Sequence, residues 1–456
     1  MSQDCPKPSE DDLFVLPADE DSYYLYAPLR RCVAVVNGAA VAAVERSLRM
    51  KPGDLTQAEA AAVRTLEHAG LIGGCPPAPP LFPVQGAFTP HEVTLFPTSR
   101  CNLRCRYCYA NAGHKSVDMS WPVAQAAIDL VAENAGRLGS PRFGVGFHGG
   151  GEPLLVWDLV VRSVEYARAK AEEKGLTAEI YAASNGLLSP EQREYVVRHF
   201  SSLNVSIDGP PDLNDHNRPR PNGQGSYAAV SESLKDFDRH GFTYGIRATI
   251  TAATVGRMVE IVDHLATEFH PIYLHLEPVW QCGRCLMTGE TTADQAIFIG
   301  NFRLAAEHGR TRGIDVTYSG ARLGTLVSKF CAAPGDGFSV LPEGVVTSCF
   351  DITETTDPRA RIFHFGHYDA TLNAFVFDQE RVSALRALSV ENLSFCRDCF
   401  CRWHCAGDCL AKVFERSGSS EHRGSPRCDL NRALTLAELR ALVRPQGGTA
   451  AMSEAP

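Results

Sequence analysis

The 456-residue chain has no run of eighteen apolar residues, so nothing in it reads as a membrane-spanning helix. It also has no basic excess. A formal charge of -9 and a pI near 5.9 argue against the basic face that a nucleic-acid binder needs. Met1 to Asp12 lacks the basic-then-apolar order of a secretory signal. These absences lead to an expected cytoplasmic protein with no nucleic-acid partner and no membrane partner. In that compartment its 16 cysteines are too many to be disulfides.

The cysteines are unevenly spread. Three lie at 101–108, two at 282–285 and eight between Cys331 and Cys428. Cys5, Cys32 and Cys75 stand alone and read as buried or incidental thiols. Cys101-Asn102-Leu103-Arg104-Cys105-Arg106-Tyr107-Cys108 packs three thiols into one short loop with no fourth nearby. A closed structural zinc site needs four ligands. Three thiolates on a four-iron cluster leave one iron open to a small molecule, whereas a fully ligated cluster mainly moves electrons.

A chain of this length buries a large core and holds two or three domains. Residues 1–85 read as a small unit. Tyr23–Tyr26 and Cys32–Val36 are expected strands, and Ala39–Arg49 and Thr56–Ala69 expected helices. The Gly- and Pro-rich stretch 73–80 marks a boundary. From about 90 to 320, short apolar strands alternate with helices: Glu92–Pro97, Arg142–His148, Ala178–Ser184, Leu203–Asp208, Tyr244–Ile250 and Ile272–Glu277. Ser120 reads as a helix N-cap ahead of Pro122, with Val123, Ala127, Ile128 and Val131 on one face. Tyr227, Val230, Leu234 and Phe237 form a second stripe. Six β–α units in series mean a parallel sheet, either a closed or partial barrel or an open doubly wound sheet.

Strand alternation favours a barrel with a polar lumen. Asn204, Ser206 and Asp208 share one face of their strand; Tyr273, His275 and Glu277, and Arg247 and Thr249, do the same on theirs. An ordinary barrel fills those positions with apolar side chains, so a large polar ligand is expected inside. The region from about Gly320 to Cys428 has little helix or strand signal and dense cysteine, which reads as a metal-stapled segment. A helix is expected at Leu430–Val443, followed by a disordered tail.

The loop Cys101–Cys108 follows the first barrel strand, at the mouth where barrel enzymes keep their active sites. Its Cys-x3-Cys-x-aromatic-Cys spacing resembles that of radical S-adenosylmethionine (radical SAM) enzymes, which implies that Cys101, Cys105 and Cys108 hold the catalytic [4Fe-4S] cluster. Tyr107 is then the aromatic beside the adenine. His148-Gly149-Gly150-Gly151-Glu152-Pro153 resembles the superfamily's Gly-Gly-Glu-Pro motif, so Gly150, Gly151 and Glu152 are implied to bind the SAM amino group. A carboxylate suits an ammonium, and glycine permits close backbone approach. The overlapping Gly144-x-Gly146-x-x-Gly149 lies in a strand rather than in the turn a dinucleotide site requires; Gly144 and Gly146 are expected to leave room for SAM. Ser184-Asn185-Gly186 resembles the segment near the SAM ribose. Ser206-Ile207-Asp208-Gly209-Pro210 with Arg218 resembles a signature of the sulfatase maturases and peptide-modifying enzymes, which makes Ser206 and Arg218 candidates for the SAM carboxylate.

Cys331-x12-Gly-x4-Cys349, Cys396-x2-Cys399-x5-Cys405-x3-Cys409 and Cys428 resemble the seven-cysteine SPASM domain, which carries two auxiliary [4Fe-4S] clusters. The resemblance implies that Cys396, Cys399, Cys405 and Cys428 hold the distal one, and Cys331, Cys349 and Cys409 the one nearer the barrel. Sulfatase maturases carry a further cysteine six residues before the first of these, where this chain has Thr325. They also carry an Asp directly after the Gly-x4-Cys cysteine, where this chain has Phe350 and then Asp351. The nearer cluster is therefore open, or completed by Cys282 or Cys285. That pair reads equally as cluster ligand, redox or zinc pair, or structural thiols. Cys401 reads as a spare thiol.

The implied fold class is α/β: a partial (β/α)6 barrel at 90–320, a winged-helix-like unit at 1–85, a cysteine-rich iron–sulfur domain at 325–435, and a disordered tail at 444–456. Residues 1–85 are either a leader-peptide recognition unit or a capping extension of the barrel. The implied cofactors are SAM and three [4Fe-4S] clusters. The implied activity is reductive cleavage of SAM to a 5′-deoxyadenosyl radical, used by an oxidoreductase to crosslink a ribosomally made precursor peptide through a thioether or carbon–carbon bond. A reductant such as flavodoxin or ferredoxin would supply electrons. The alternatives are oxidation of a Cys or Ser to formylglycine, and a non-catalytic leader-binding or electron-transfer protein.

Overall fold

The computed structural model describes residues 12–19, 21–49, 54–80, 85–417, 421–443 and 450–451. They form two compact units. One draws on Met1–Pro83, Gly320–Phe330 and Leu388–Pro456, and the other on Val84–Ser319 and Cys331–Ala387.

The first unit holds three antiparallel strands, β1 (Phe14–Pro17), β2 (Ser22–Ala27) and β3 (Cys32–Asn37). β1 adds to the two expected from sequence. Ala450–Ala451 pair antiparallel with β3 and are the described part of the expected disordered tail. Helices Gly38–Arg49 and Gln57–His68 follow the strands. Thr56 and Glu59 cap the second helix reciprocally, satisfying two amides that the helix leaves open. Leu25, Ala34, Val44, Leu66 and Leu71 close a small core.

The sequence boundary at 85 does not end this unit. Tyr24, Tyr26 and Val33 share a second core with Leu323 and Leu439, and Leu29 shares a third with Leu393, Cys396 and Trp403. The buried Asp12 carboxylate accepts from the Leu29 amide at 2.9 Å and from the Trp403 indole at 2.9 Å. The N-terminal strands and the C-terminal cysteine segment are therefore one packing unit. Cys75 is disulfide-bonded, not the isolated thiol expected, and Cys5 lies outside the described residues.

The second unit is built on a parallel sheet: β4 (Glu92–Leu95), β5 (Arg142–Phe147), β6 (Thr177–Ser184), β7 (Ser202–Ser206), β8 (Tyr244–Ile250) and β9 (Leu274–Pro278), neighbours in that order. A two-residue β10 (Val316–Thr317) extends it beyond β9. Beyond β4, β11 (Ser339–Val340) adds parallel, and β12 (Val345–Thr347), β13 (His364–Asp369) and β14 (Ala374–Phe377) follow antiparallel. The architecture is a partial (β/α)6 barrel with a mixed extension. The sequence missed β11 to β14 because the first two have only two and three residues and Gly366 and His367 break any apolar pattern in β13.

One face of each main strand is apolar and sealed. Leu203, Val205 and Ile207, Ile246, Ala248 and Ile250, and Leu274 and Leu276 are all at most 1% exposed. The expected helical stripes fall where the core needs them: Val123, Ala127, Ile128 and Val131 are buried, as are Val230, Leu234 and Phe237. Three details differ from expectation. Ser120 occupies the N-cap without a side-chain capping bond, Ile272 precedes β9 and is exposed, and Tyr227 is only half-buried. Each sealed aliphatic side chain contributes about 1.5–3 kcal/mol. Replacing Ile246 by Ala is expected to destabilise the protein by about 2–5 kcal/mol, read as a lower thermal midpoint with an unchanged far-ultraviolet spectrum.

Candidate functional site

The three-thiol loop leaves the C-terminal end of β4. Two of its sulfurs receive backbone amides, Leu103 N–H to Cys101 Sγ and Ala112 N–H to Cys108 Sγ, both at 3.4 Å. The Arg104 and Arg106 amides donate to the Pro219 and Asn217 carbonyls at 2.7 and 2.9 Å. Arg104 Nη1 folds back onto the Cys101 and Leu103 carbonyls. Burial pushes the Cys101 thiol up to about 12, helped by the Glu152 charge. Burial also pushes Cys105 to about 11, against the pull of Arg218. Such thiols ionise when a cation replaces their protons. Among the described residues no three His, Cys, Asp or Glu side chains close to the spacing of a single metal ion. Three thiols on one loop, with amides aimed at sulfur, fit the open three-cysteine cluster.

The segment after β5 crosses this loop at backbone contact. A Cβ on Gly151 would lie 2.1 Å from the Arg100 carbonyl oxygen, so only glycine fits. Gly150 faces Ala110 and Thr353. Glu152 is buried, and its carboxylate accepts from Ser184 Oγ at 2.8 Å, the Leu154 amide at 3.2 Å and the Asn185 amide at 2.7 Å. Burial raises its pKa while those bonds oppose the rise. Asn185 Nδ2 donates to Asn102 Oδ1 at 2.7 Å, tying the end of β6 to the cysteine loop. A cavity of about 530 Å³ opens there, lined by Asn102, Leu187, Leu188, Arg220 and Asn222 among others.

Tyr107 is held by a network that the sequence did not reveal. Its hydroxyl donates to Asp208 Oδ2 at 2.6 Å and accepts from Arg218 Nη1 at 2.8 Å. Asp208 also accepts from Asn217 Nδ2 and the Thr249 amide, each at 3.1 Å. Ser206 ends β7 opposite Arg247 of β8. Gly144 and Gly146 do not clear space for a ligand: a Cβ on the first would meet the Glu92 side chain, and on the second the Tyr181 ring.

Cys282–Glu290 is a brace on the loop, also unseen in sequence. The Arg284 amide donates to the Cys108 carbonyl at 2.9 Å. Its guanidinium donates to the Cys105 carbonyl at 3.0 Å, Asn111 Oδ1 at 3.1 Å and the Ala112 carbonyl at 2.6 Å. Thr288 Oγ1 donates to the Arg106 carbonyl at 2.7 Å, and Arg106 pairs with Glu290 at 2.5 Å. Gly283 has φ +53°, and a Cβ there would lie 2.2 Å from the Tyr109 carbonyl oxygen. Cys285 is buried within the electrostatic reach of Cys108, and Cys282 is half-exposed.

Phe96, His148 and Phe350 cluster at the barrel mouth, with ring centroids 4.5 Å apart for His148–Phe350 and 5.6 Å for Phe96–His148. Burial, and then the Arg247 charge, push His148 down to about 4, so it is neutral at physiological pH. Its Nδ1 accepts from the Gly149 amide at 2.8 Å, which places the proton on Nε2. Cys349, Asp351 and Arg247 all act electrostatically on Tyr109.

The remaining cysteines divide between the units. Cys331 is exposed and Cys349 buried in the barrel unit, whereas Cys409 lies in the other. In that unit Cys396, Cys399, Cys405 and Cys428 act on one another electrostatically. Their sulfurs also have polar donors: Asn431 Nδ2 to Cys405 at 3.1 Å and the Ser425 amide to Cys428 at 3.2 Å. Hydrogen bonds from Cys401 and Arg432 lower the Cys399 thiol. Cys401, expected to be a spare thiol, thus supports its neighbour. The donors on these sulfurs are of the kind that would support thiolate ligands of a cluster.

Residues 95–264 match the Radical SAM superfamily. The chain carries a radical SAM domain. It is 22% identical over 75% of its length to the radical SAM cyclopropyl synthase TigE of Paramaledivibacter caminithermalis, covering 72% of that protein. It is likewise 22% identical over 71% of its length to a serine-type anaerobic sulfatase-maturating enzyme of Klebsiella aerogenes, covering 80% of it. A shorter match is 31% identical to the Fe-coproporphyrin III synthase of Methanosarcina barkeri, spanning 38% of this chain and 40% of that one. Among solved structures, anSMEcpe with bound AdoMet and Cp18Cys peptide superposes with TM-score 0.59 at 17% identity, over 77% of this chain and 97% of that one. SuiB of Streptococcus suis bound to precursor peptide SuiA superposes with TM-score 0.50 at 13% identity, over 93% of this chain and all of that one. Both likenesses concern the fold. Among the described residues no helix is long and apolar enough to cross a membrane.

Replacing Arg284 by Met removes three side-chain bonds to the loop and keeps the cysteines. The reconstituted variant is expected to lose about four irons to a chelator faster than the parent and keep the rest. Equal rates of iron loss would show that the brace does not hold this loop.

Proposed function

We propose that the protein is a radical SAM maturase that crosslinks a ribosomally made precursor peptide through a thioether or carbon–carbon bond. The observation carrying this reading is the meeting of the three-thiol loop, the buried Glu152 carboxylate and the Tyr107–Arg218–Asp208 network at one mouth of a barrel with a polar lumen. Support for a peptide or protein substrate comes from the sulfatase-maturating relative and from the peptide-bound structures that share the fold. The Fe-coproporphyrin synthase covers too little of the chain to weigh equally.

Cys101, Cys105 and Cys108 would hold the SAM-binding cluster, which with SAM supplies a 5′-deoxyadenosyl radical able to take hydrogen from an unactivated carbon. Gly150 and Gly151 let the backbone approach the ligand, and Glu152, positioned by Ser184 and Asn185, would receive its ammonium. Ser206 and Arg218 would face its carboxylate. Tyr107, held through its hydroxyl, would pack beside the adenine. Cys396, Cys399, Cys405 and Cys428 would hold the distal auxiliary cluster, and Cys331, Cys349 and Cys409 the nearer one. Cys282 is the better candidate to complete the latter, because Cys285 is buried beside Cys108. In the first unit, a leader peptide would add as a strand along β1, since β3 already carries Ala450–Ala451.

A second reading, oxidation of a Cys or Ser to formylglycine, is favoured by the sulfatase-maturating relative. Phe350 weighs against it. Where those maturases carry an Asp, this chain places the Phe350 ring against His148, and a phenyl ring cannot take up a proton as a carboxylate does.

The reduced, anaerobically reconstituted protein is expected to carry about twelve irons. It should form 5′-deoxyadenosine from SAM and remove two hydrogens from a Cys-containing peptide encoded beside its gene, read by mass and fragment pattern. Conversion of a sulfatase peptide to formylglycine instead would establish the second reading. Replacing Cys101, Cys105 and Cys108 together by Ala should leave about eight irons and no SAM cleavage; cleavage by that variant would overturn both readings.

A further inference from the structure

β8 seals Tyr244, Ile246, Ala248 and Ile250 on one face, and turns Gly245, Arg247 and Thr249 to the other. The parallel register places Arg247 between Ser206 of β7 and His275 of β9. Both are lumen-facing, so the guanidinium stands within the barrel opening. Its charge is felt by His148 after β5, by Tyr109 beyond the cysteine loop and by Tyr273 before β9.

Among the described residues, the Arg247 side chain makes no hydrogen bond and no ion pair. The other arginines around the site are committed: Arg218 to Tyr107, Arg106 to Glu290, and Arg104 and Arg284 to loop carbonyls. Two carboxylates on the neighbouring strand ends are held elsewhere. Glu277, one row along in the register, bonds His275 and Ser319. Asp208 bonds Tyr107, Asn217 and the Thr249 amide. The fold thus leaves a guanidinium without a direct bond facing the space where a substrate must sit.

We propose that Arg247 receives a carboxylate of the substrate, an acidic side chain or a peptide C-terminus. The inference rests on the reading of the lumen as the reaction chamber. A guanidinium binds a carboxylate through two parallel bonds and so fixes orientation as well as position. Holding the substrate by a charge on the lumen face of β8 sets which of its carbons faces the loop mouth, and small errors in such placement are costly.

The SAM carboxylate is the other source of the same chemistry, and the experiment separates the two. The reconstituted full-length protein is treated with phenylglyoxal, and modification at Arg247 is followed by peptide mass spectrometry. The arms contain no addition, SAM alone, SAM with N-acetylglutamic acid 1-amide, and SAM with N-acetylglutaminamide. Rapid modification with SAM alone, slowed several-fold by the glutamate probe and not by the glutamine one, is the expected result. Loss of the glutamate probe's saturation-transfer signal in Arg247→Gln, against wild type, should accompany it. Full protection by SAM alone would assign Arg247 to the SAM carboxylate and overturn the proposal. So would slow modification without any addition, or equal effects of the two probes. Formation of 5′-deoxyadenosine by wild type is measured in parallel; its absence would sink the radical reading and leave the footprint to be judged by itself.

Discussion

Three sulfurs on eight residues can face one point only if the loop that carries them has lost its freedom. That immobility is the constraint on which the rest of the site depends. A free loop of this length would give up about 1–2 kcal/mol of backbone entropy per residue on being ordered. Here the ordering is imposed from outside. Arg284 holds carbonyls on both sides of Cys108, the chain near Asn217 and Pro219 accepts two loop amides, and Gly151 lies against the Arg100 carbonyl. Neither Gly151 nor Gly283 could carry a side chain without displacing backbone, so both are part of the clamp.

Around the loop, polar groups are buried in mutually satisfied sets. Glu152, Ser184 and Asn185 form one, and Tyr107, Asp208, Asn217 and Arg218 form another. In a low-dielectric interior such sets hold their members rigidly, and an unpaired member is costly. Arg247 is the contrast: open, lumen-facing and without a partner among the described residues.

The other unit applies the same economy of structure to cysteine. Asp408 and Arg427 form a buried pair that also engages Ser425, whose amide reaches Cys428. Asn431 and Arg432, on the helix that Cys428 opens, turn toward Cys405 and Cys399. The N-terminal strands are bonded into this segment through Asp12 and through the Tyr26 hydroxyl on His404. A unit with so many thiols and so few long elements therefore borrows its core from residues nearly four hundred positions away.

The sequence by itself determined what is local. Strand and helix positions follow from period-2 and period-3.6 burial, because a sealed face must be apolar along its whole length. The three-thiol spacing and the glycine-rich turn before Glu152 are readable because their chemistry is confined to a few consecutive residues. Only the tertiary structure decided what depends on distant partners. It gave Arg284 and Asp208 their roles, turned Gly146 from ligand space into room for Tyr181, and drew the N-terminal sheet into the cysteine-rich unit. The physical reason is that a hydrogen bond or a close approach is fixed by where two segments cross, and no periodicity within either segment records the crossing.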